Sequence, residues 1–234
     1  MSDPSIVDRL ASALTELHAA IDARPDDGLV TLSQYVLAVL PQADSAGIGR
    51  VTGEGLELVT AAGAVAEQFV ALQTEFARGP SVDAAAAGAM AVSADLDNDD
   101  RWCEFGPRVV KETGMRSAVA VRLPGERDES PLVLTVLSGL VAAFTDDATL
   151  AILALANCGG LALASARRSA RIGNLERALE TNRDIGTAVG VLMALHHLTR
   201  EEAFELLRST SQTSHRKVSE IARTVAETGS LNAL

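Results

Sequence analysis

Thr52-Gly53-Glu54-Gly55 lies between two runs that read as strands: Ala43 to Val51, rich in small residues, and Leu56 to Ala61. Gly at the second and fourth places of the link supplies the φ freedom of a tight turn, so the three pieces read as a β-hairpin. Upstream, Ile6, Leu10, Leu14, Leu17 and Ile21 recur at steps of four and three and predict one stripe of a helix ending before Arg24-Pro25. A second helix is expected from about Leu29 to Leu40, stopped by Pro41.

Downstream, Val65, Phe69, Leu72 and Phe76 mark a third helix that Gly79-Pro80 closes. A short strand at Ala89 to Ser93, the acidic loop Asp95 to Asp100 and a helix from about Trp102 to Thr113, ended by Gly114, follow. The acids are expected to cap that helix. Val119, Val121 and Leu123 alternate with smaller or polar residues, and Leu132 to Leu137 is apolar and β-branched, giving two more strands around the polar loop Pro124 to Ser130. About five strands joined mostly by hairpins predict an antiparallel sheet with helices packed on it, an α+β fold.

After Asp146 the chain has no proline, and Ala-, Leu- and Arg-rich sequence runs toward Leu195. Leu161, Arg168, Leu175, Asn182 and Val189 repeat at seven, offset by three from Ala164, Arg171, Ala178, Ile185 and Leu192. This heptad seam predicts a coiled-coil helix and a parallel homodimer; an amphipathic helix packed on its own chain is the alternative. Gly159-Gly160 and Gly173 mark places where such a helix bends. Thr199-Arg200-Glu201-Glu202 has the form of a capping box opening a helix with Ala203, Leu206, Leu207 and Thr210 inward. Ser214 is placed to cap a last helix, with Val218, Ile221, Ala222 and Val225 inward and Gly229 at its end. A long helix and a small three-helix unit are the expected second half.

The 234 residues suit one domain and a smaller one, divided as 1–166 and 167–234. With 47% hydrophobic but only 3% aromatic residues, the core rests on Ala, Val and Leu. Cys103 and Cys158 form no metal or disulfide pattern, and no signal segment or uninterrupted apolar span is evident, so a cytoplasmic protein away from membranes is expected. Residues 1–166 hold 10 Lys+Arg against 23 Asp+Glu, whereas 167–234 hold 10 against 8. An acidic front half repels polyanions, so any nucleic-acid surface belongs in the last 68 residues.

No catalytic constellation is found. His18 has no motif partner, and no phosphate-cradling loop precedes a helix. The loop Asp95 to Asp100 lacks the Gly and distal Glu of a calcium loop, and His196-His197 point to different helix faces. No enzymatic activity, metal or cofactor is expected.

Leu72-Gln73, Gly79-Pro80-Ser81-Val82-Asp83, Asp95-Leu96, Arg101-Trp102, Gly114-Met115-Arg116-Ser117, Val121-Arg122-Leu123-Pro124 and Ala143-Phe144-Thr145-Asp146-Asp147 follow one another in an order that resembles the GAF domains of actinobacterial regulators. The likeness covers roughly residues 28–166. It implies small-molecule sensing or a dimerisation scaffold. Family members often carry Cys where this chain has Ser81, which excludes thiol chemistry there. By the same analogy a ligand pocket is expected on the sheet face near Leu72, Phe76, Trp102, Val119 and Val121.

Arg183-Asp184-Ile185, Ala188-Val189-Gly190-Val191-Leu192-Met193, Leu198-Thr199, Glu202-Ala203-Phe204, Leu207-Arg208 and Arg216-Lys217-Val218 resemble the ANTAR domain of transcription antitermination regulators, over about residues 168–231. Relatives bind paired RNA hairpins as dimers and prevent premature termination. The resemblance therefore implies a sensor-gated RNA-binding regulator. A basic residue usual between the Ala and Gly is Val189 here. Arg183, Arg208, His215, Arg216 and Lys217 are the candidate donors to phosphate and base edges. Phe204 is the sole aromatic residue after 166 and reads equally as core. Two other readings stay open: a helix-turn-helix-like DNA-binding regulator, and a ligand-binding or dimerisation module without nucleic acid.

Overall fold

The computed structural model describes residues 6–87, 89–125 and 130–230. The chain divides between Arg167 and Arg168 into two compact units.

In the first unit the hairpin is present as β1 (Ser45–Thr52) and β2 (Gly55–Ala62). With β3 (Met90–Ser93), β4 (Ser117–Arg122) and β5 (Leu132–Ser138) it forms a five-stranded sheet in the order β2-β1-β5-β4-β3, antiparallel throughout. Helices α1 (Ile6–Ala23) and α2 (Gly28–Val39) cover one face; α3 (Ala66–Phe76), α4 (Pro80–Ala87) and α5 (Phe105–Thr113) cover the other. The fold is therefore the antiparallel α+β arrangement that the hairpin pattern predicts.

Two expectations need correction here. The stretch after Gly79 is a helix, α4, where the sequence reading placed none; Pro80 opens it with its preset φ, and Ala84 and Ala85 bury against the sheet. The acidic loop does not cap α5, whose N-cap Glu104 makes no side-chain bond. Asp95 and Asp99 instead accept from the backbone N–H groups of Asp97 and Arg101, capping two one-turn 3-10 helices, Leu96–Asn98 and Asp100–Trp102. The intervening turns use up the acids before α5 begins.

Helix α6 (Asp146–His196) runs unbroken through the glycines expected to bend it. A Cβ at Gly159 would meet the Leu32 side chain at 2.8 Å, and one at Gly160 would meet Pro124 at 2.5 Å. These two glycines serve close packing rather than a kink. Ala148, Ala151, Ile152, Leu155 and Ala156 face the core with α1 and α2. One 18-residue window of α6, of mean hydropathy 1.7, is long and apolar enough by length and composition to cross a membrane; half of that window is buried inside the protein. Burial of one stripe is what a core helix requires.

In the second unit the end of α6 packs with α7 (Arg200–Ser214) and α8 (Val218–Thr228). Ala188, Val189, Leu192, Ala203, Leu207, Ile221, Ala222 and Val225 make its core. The capping box forms as the spacing predicts: the Thr199 hydroxyl accepts from the Glu202 N–H, and the Glu202 carboxylate accepts from the Thr199 N–H at 2.8 Å. That backbone bond, with one from the Thr199 hydroxyl, lowers the Glu202 pKa. Ser214 does not cap α8. It is the last residue of α7, its hydroxyl donating to the Thr210 carbonyl at 2.7 Å, and Lys217 holds the N-cap position instead. Three residues are needed for the turn, and His215 adopts the left-handed conformation that ends α7.

Candidate functional site

The five sheet-face residues expected to form one pocket are split between the two faces. Side chains alternate along a strand, so Val119 and Val121, opposite Val136 and Leu134, all point toward α1, α2 and α6. Leu72, Phe76 and Trp102 pack on the other face with Phe69, Phe105 and Leu137. A single pocket containing all five is excluded by the sheet between them.

The face that holds Leu72 and Trp102 is closed by its own groups. The Gln73 amide donates to Ser81 Oγ at 2.9 Å and accepts from the Ser81 N–H at 2.8 Å, and Ser81 Oγ lies 2.7 Å from Thr135 Oγ1. The Trp102 indole donates to Asp83 at 2.9 Å. Phe105 meets Phe69 and Phe76 edge-on at 5.6 and 6.2 Å. Among the described residues no buried side-chain polar atom is left without a partner, so this interior is already satisfied. At its rim is a depression of about 330 Å³ lined by Phe76, Arg78, Trp102, Cys103, Glu104 and Phe105. In the same unit Arg116 grips Asp95 with two bonds of 2.9 and 2.8 Å, which, with the Asn98 amide, hold the Asp95 pKa down at about 2.

The candidate nucleic-acid donors do not converge on one spot. His215, Arg216 and Lys217 are consecutive in the α7–α8 connection, fixed there by a 2.6 Å bond from the Ser211 hydroxyl to the Arg216 carbonyl. Arg216 lies 3.7 Å from Glu220, and Arg208, on α7, is 3.4 Å from Glu205; both pairs are exposed and weak. Arg183 is exposed on α6. Arg223, not singled out in the sequence, ties α8 to α6 through Asp184 at 3.3 Å and Glu180 at 3.9 Å.

A groove of about 600 Å³ runs between α6 and the start of α7, lined by Asn182, Ile185, Gly186, Val189, Gly190, Met193, Arg200, Glu201 and Phe204. It lies at the opposite end of α7 from the His215–Lys217 turn, about 20 Å away by helix rise. Phe204 is 43% exposed here, so the one aromatic ring of this unit is available for stacking rather than core. Its i, i+1 relation to the buried Ala203 was the signal that sequence reading passed over, since neighbours on a helix face different ways. Val189, in contrast, is 7% exposed and part of the core, together with Leu192, so the predicted seam does not continue through them. Upstream seam positions remain open: Leu175 is 62% exposed, with Ile172 and Leu179 beside it at 52% and 61%.

Comparison with known proteins fits this division. The ANTAR domain family matches residues 173–225. No curated protein matches the chain. The first unit is similar in fold to a free methionine-R-sulfoxide reductase from Neisseria meningitidis (18% identity, 72% of this chain and 96% of that one, TM-score 0.56). It is also similar to the GAF domain of a phosphoenolpyruvate-protein phosphotransferase from Coxiella burnetii (15%, 71% and 99%, 0.54) and to a putative GAF sensor protein from Burkholderia vietnamiensis (17%, 70% and 91%, 0.50). At these identities the likeness is one of fold. The chain thus joins a first unit of GAF-like fold to a segment that matches the ANTAR domain family.

Proposed function

We propose that this chain is a cytoplasmic, sensor-gated regulator whose second unit binds RNA hairpins and prevents transcription termination. The observation that carries the reading is the coincidence of the ANTAR match with a folded three-helix unit that exposes Arg183, Arg208, His215, Arg216 and Lys217. In a chain of net charge −11, this unit alone is compatible with a polyanion. The Phe204 groove supports the same reading, because unpaired bases stack on exposed rings. The deciding experiment is binding of the full chain to RNA with two adjacent hairpins against duplex DNA of equal charge. Preference for the RNA is expected; preference for the duplex would establish a DNA-binding regulator, and binding to neither would leave an interaction module. Arg216→Ala with Lys217→Ala should weaken RNA binding and flatten its salt dependence.

The first unit acts as a sensor without bond-making chemistry in this reading. Ser81, whose hydroxyl is spent on Gln73 and Thr135, occupies the place of the family cysteine. A small molecule would enter at the rim depression by Phe76 and Trp102.

A parallel homodimer through α6 completes the proposal, since exposed Ile172, Leu175 and Leu179 form an apolar stripe. Leu175→Asp with Leu179→Asp should yield monomers by light scattering and lower RNA affinity at least about 100-fold through lost effective concentration. An unchanged dimer mass would place the interface elsewhere.

A further inference from the structure

The rim depression of the first unit carries one guanidinium and one carboxylate in its lining, Arg78 and Glu104. Arg50, Arg101, Arg108 and Arg116 of the same unit each pair with a carboxylate. Arg78 pairs with none among the described residues, although residues 1–166 hold 23 acids. Glu104 stands at the N-cap of α5, and its carboxylate caps nothing. The two opposite charges thus share one concave surface, both exposed, without meeting each other. Arg78 is also firmly placed. Ala77 before it stands at φ 49, a left-handed conformation that alanine rarely adopts, and Gly79 after it stands at φ 139. A Cβ on Gly79 would meet the buried Gln73 side chain at 2.6 Å, so the core beneath fixes this turn. The rest of the lining is aromatic, Phe76, Trp102 and Phe105, apart from Cys103.

We propose that this depression binds a free amino acid with an apolar side chain, its carboxylate on Arg78, its ammonium on Glu104 and its side chain against Phe76. The inference rests on the reading of the depression as the place where a small molecule enters the first unit. A guanidinium meets a carboxylate through two parallel N–H bonds, and an ammonium is drawn both to a carboxylate and to an aromatic face. A phosphate-bearing ligand would satisfy Arg78 but meet Glu104 as a like charge. A simple amine would leave Arg78 unused. Only a ligand that carries both signs uses both groups, and about 330 Å³, at the small end of ligand sites, suits a molecule of this size.

Cys103, an exposed thiol in the lining, reports occupancy. The full chain is treated with a thiol reagent, and labelling of Cys103 is followed by peptide mass as L-phenylalanine is added. The controls 3-phenylpropionate and phenethylamine each lack one of its charges. L-Phenylalanine is expected to slow the labelling at concentrations about tenfold lower than either control. Arg78→Gln should abolish its advantage over phenethylamine, and Glu104→Gln its advantage over 3-phenylpropionate. Both variants should melt close to wild type, because both side chains are exposed. Equal protection by all three compounds overturns the amino-acid assignment and leaves the rim reading intact. An undiminished advantage in both glutamine variants overturns it as well, and so does a lack of protection by L-phenylalanine and by L-leucine. Binding of either amino acid by calorimetry without protection of Cys103 places the site elsewhere and overturns both readings.

Discussion

The two units solve the problem of burial in opposite ways. The first sandwiches a sheet between two cores, of twenty-one and thirteen fully buried apolar residues, and satisfies its buried polar groups internally. The second has one core of eight, three of them alanine, and leaves Met193, Leu195 and Phe204 substantially exposed. A chain segment that small gains little from burial, and a single core of this kind rarely supplies more than about 3–5 kcal/mol. The first unit is built to hold its shape, whereas the second has a small core and presents apolar side chains at its surface.

The sharpest contrast is expected from matched truncations. Ile221→Ala, in the fully buried core of the second unit, should cost about 2–5 kcal/mol and consume its whole stability, so that its helical signal and protease resistance are lost at room temperature. Leu134→Ala, equally buried in the first unit, should cost as much and lower the melting temperature while that unit stays folded. Equal survival of both would erase the comparison.

Val189→Lys probes the same core at a position where the ANTAR resemblance implies a basic residue. Because Val189 is 7% exposed and packed with Leu192 and Ala203, lysine should destabilise the unit by about 1–3 kcal/mol rather than strengthen RNA binding. Unchanged melting with tighter RNA binding would move Val189 to the surface. A smaller loss, about 1 kcal/mol, is expected for Thr199→Ala, which leaves the Glu202 N–H in the first turn of α7 without its side-chain acceptor; thermal melting of the second unit reads it.

Acid provides the last and smallest probe, directed at the first unit. Asp95 has a folded pKa of about 2, below its ordinary 3.8, mainly because Arg116 bonds its carboxylate. A depressed carboxylate contributes stability that is complete above its unfolded pKa and is lost as the pH falls through the folded value. The contribution should therefore fade between about pH 4 and pH 2. Arg116→Leu should flatten this part of the melting-temperature profile of the first unit and leave the second unit's profile unchanged. An identical acid limb in the variant would show that the clamp contributes nothing to folding.

Much of this is legible in the sequence, wherever the signal is local or periodic. Turn glycines, helical stripes at steps of three and four, and the Thr199–Glu202 spacing each act within a few residues, so they survive as written. The missed helix α4 shows the limit: Pro80 reads equally as the end of one helix and the start of another, and only packing of Ala84 and Ala85 under the sheet separates the two. The candidate site was less legible. Its cations could be named from composition, but their separation along α7 and the groove at its far end depend on which element lies beside which.

From its order of residues alone, this chain had already settled an antiparallel sheet, a long helix, a capped three-helix end and a division of charge between halves, since each follows from spacing or from counting. Tertiary structure decided what faces what. Val119 and Val121 point away from Trp102 because a sheet lies between them; Gly159 and Gly160 are contacts instead of hinges because Leu32 and Pro124 press on them; Val189 is core because α7 and α8 pack against that side of α6, and Phe204 is surface because it lies off the side of α7 that buries Ala203 and Leu207. Burial is a property of neighbours distant in sequence, and no local pattern carries it.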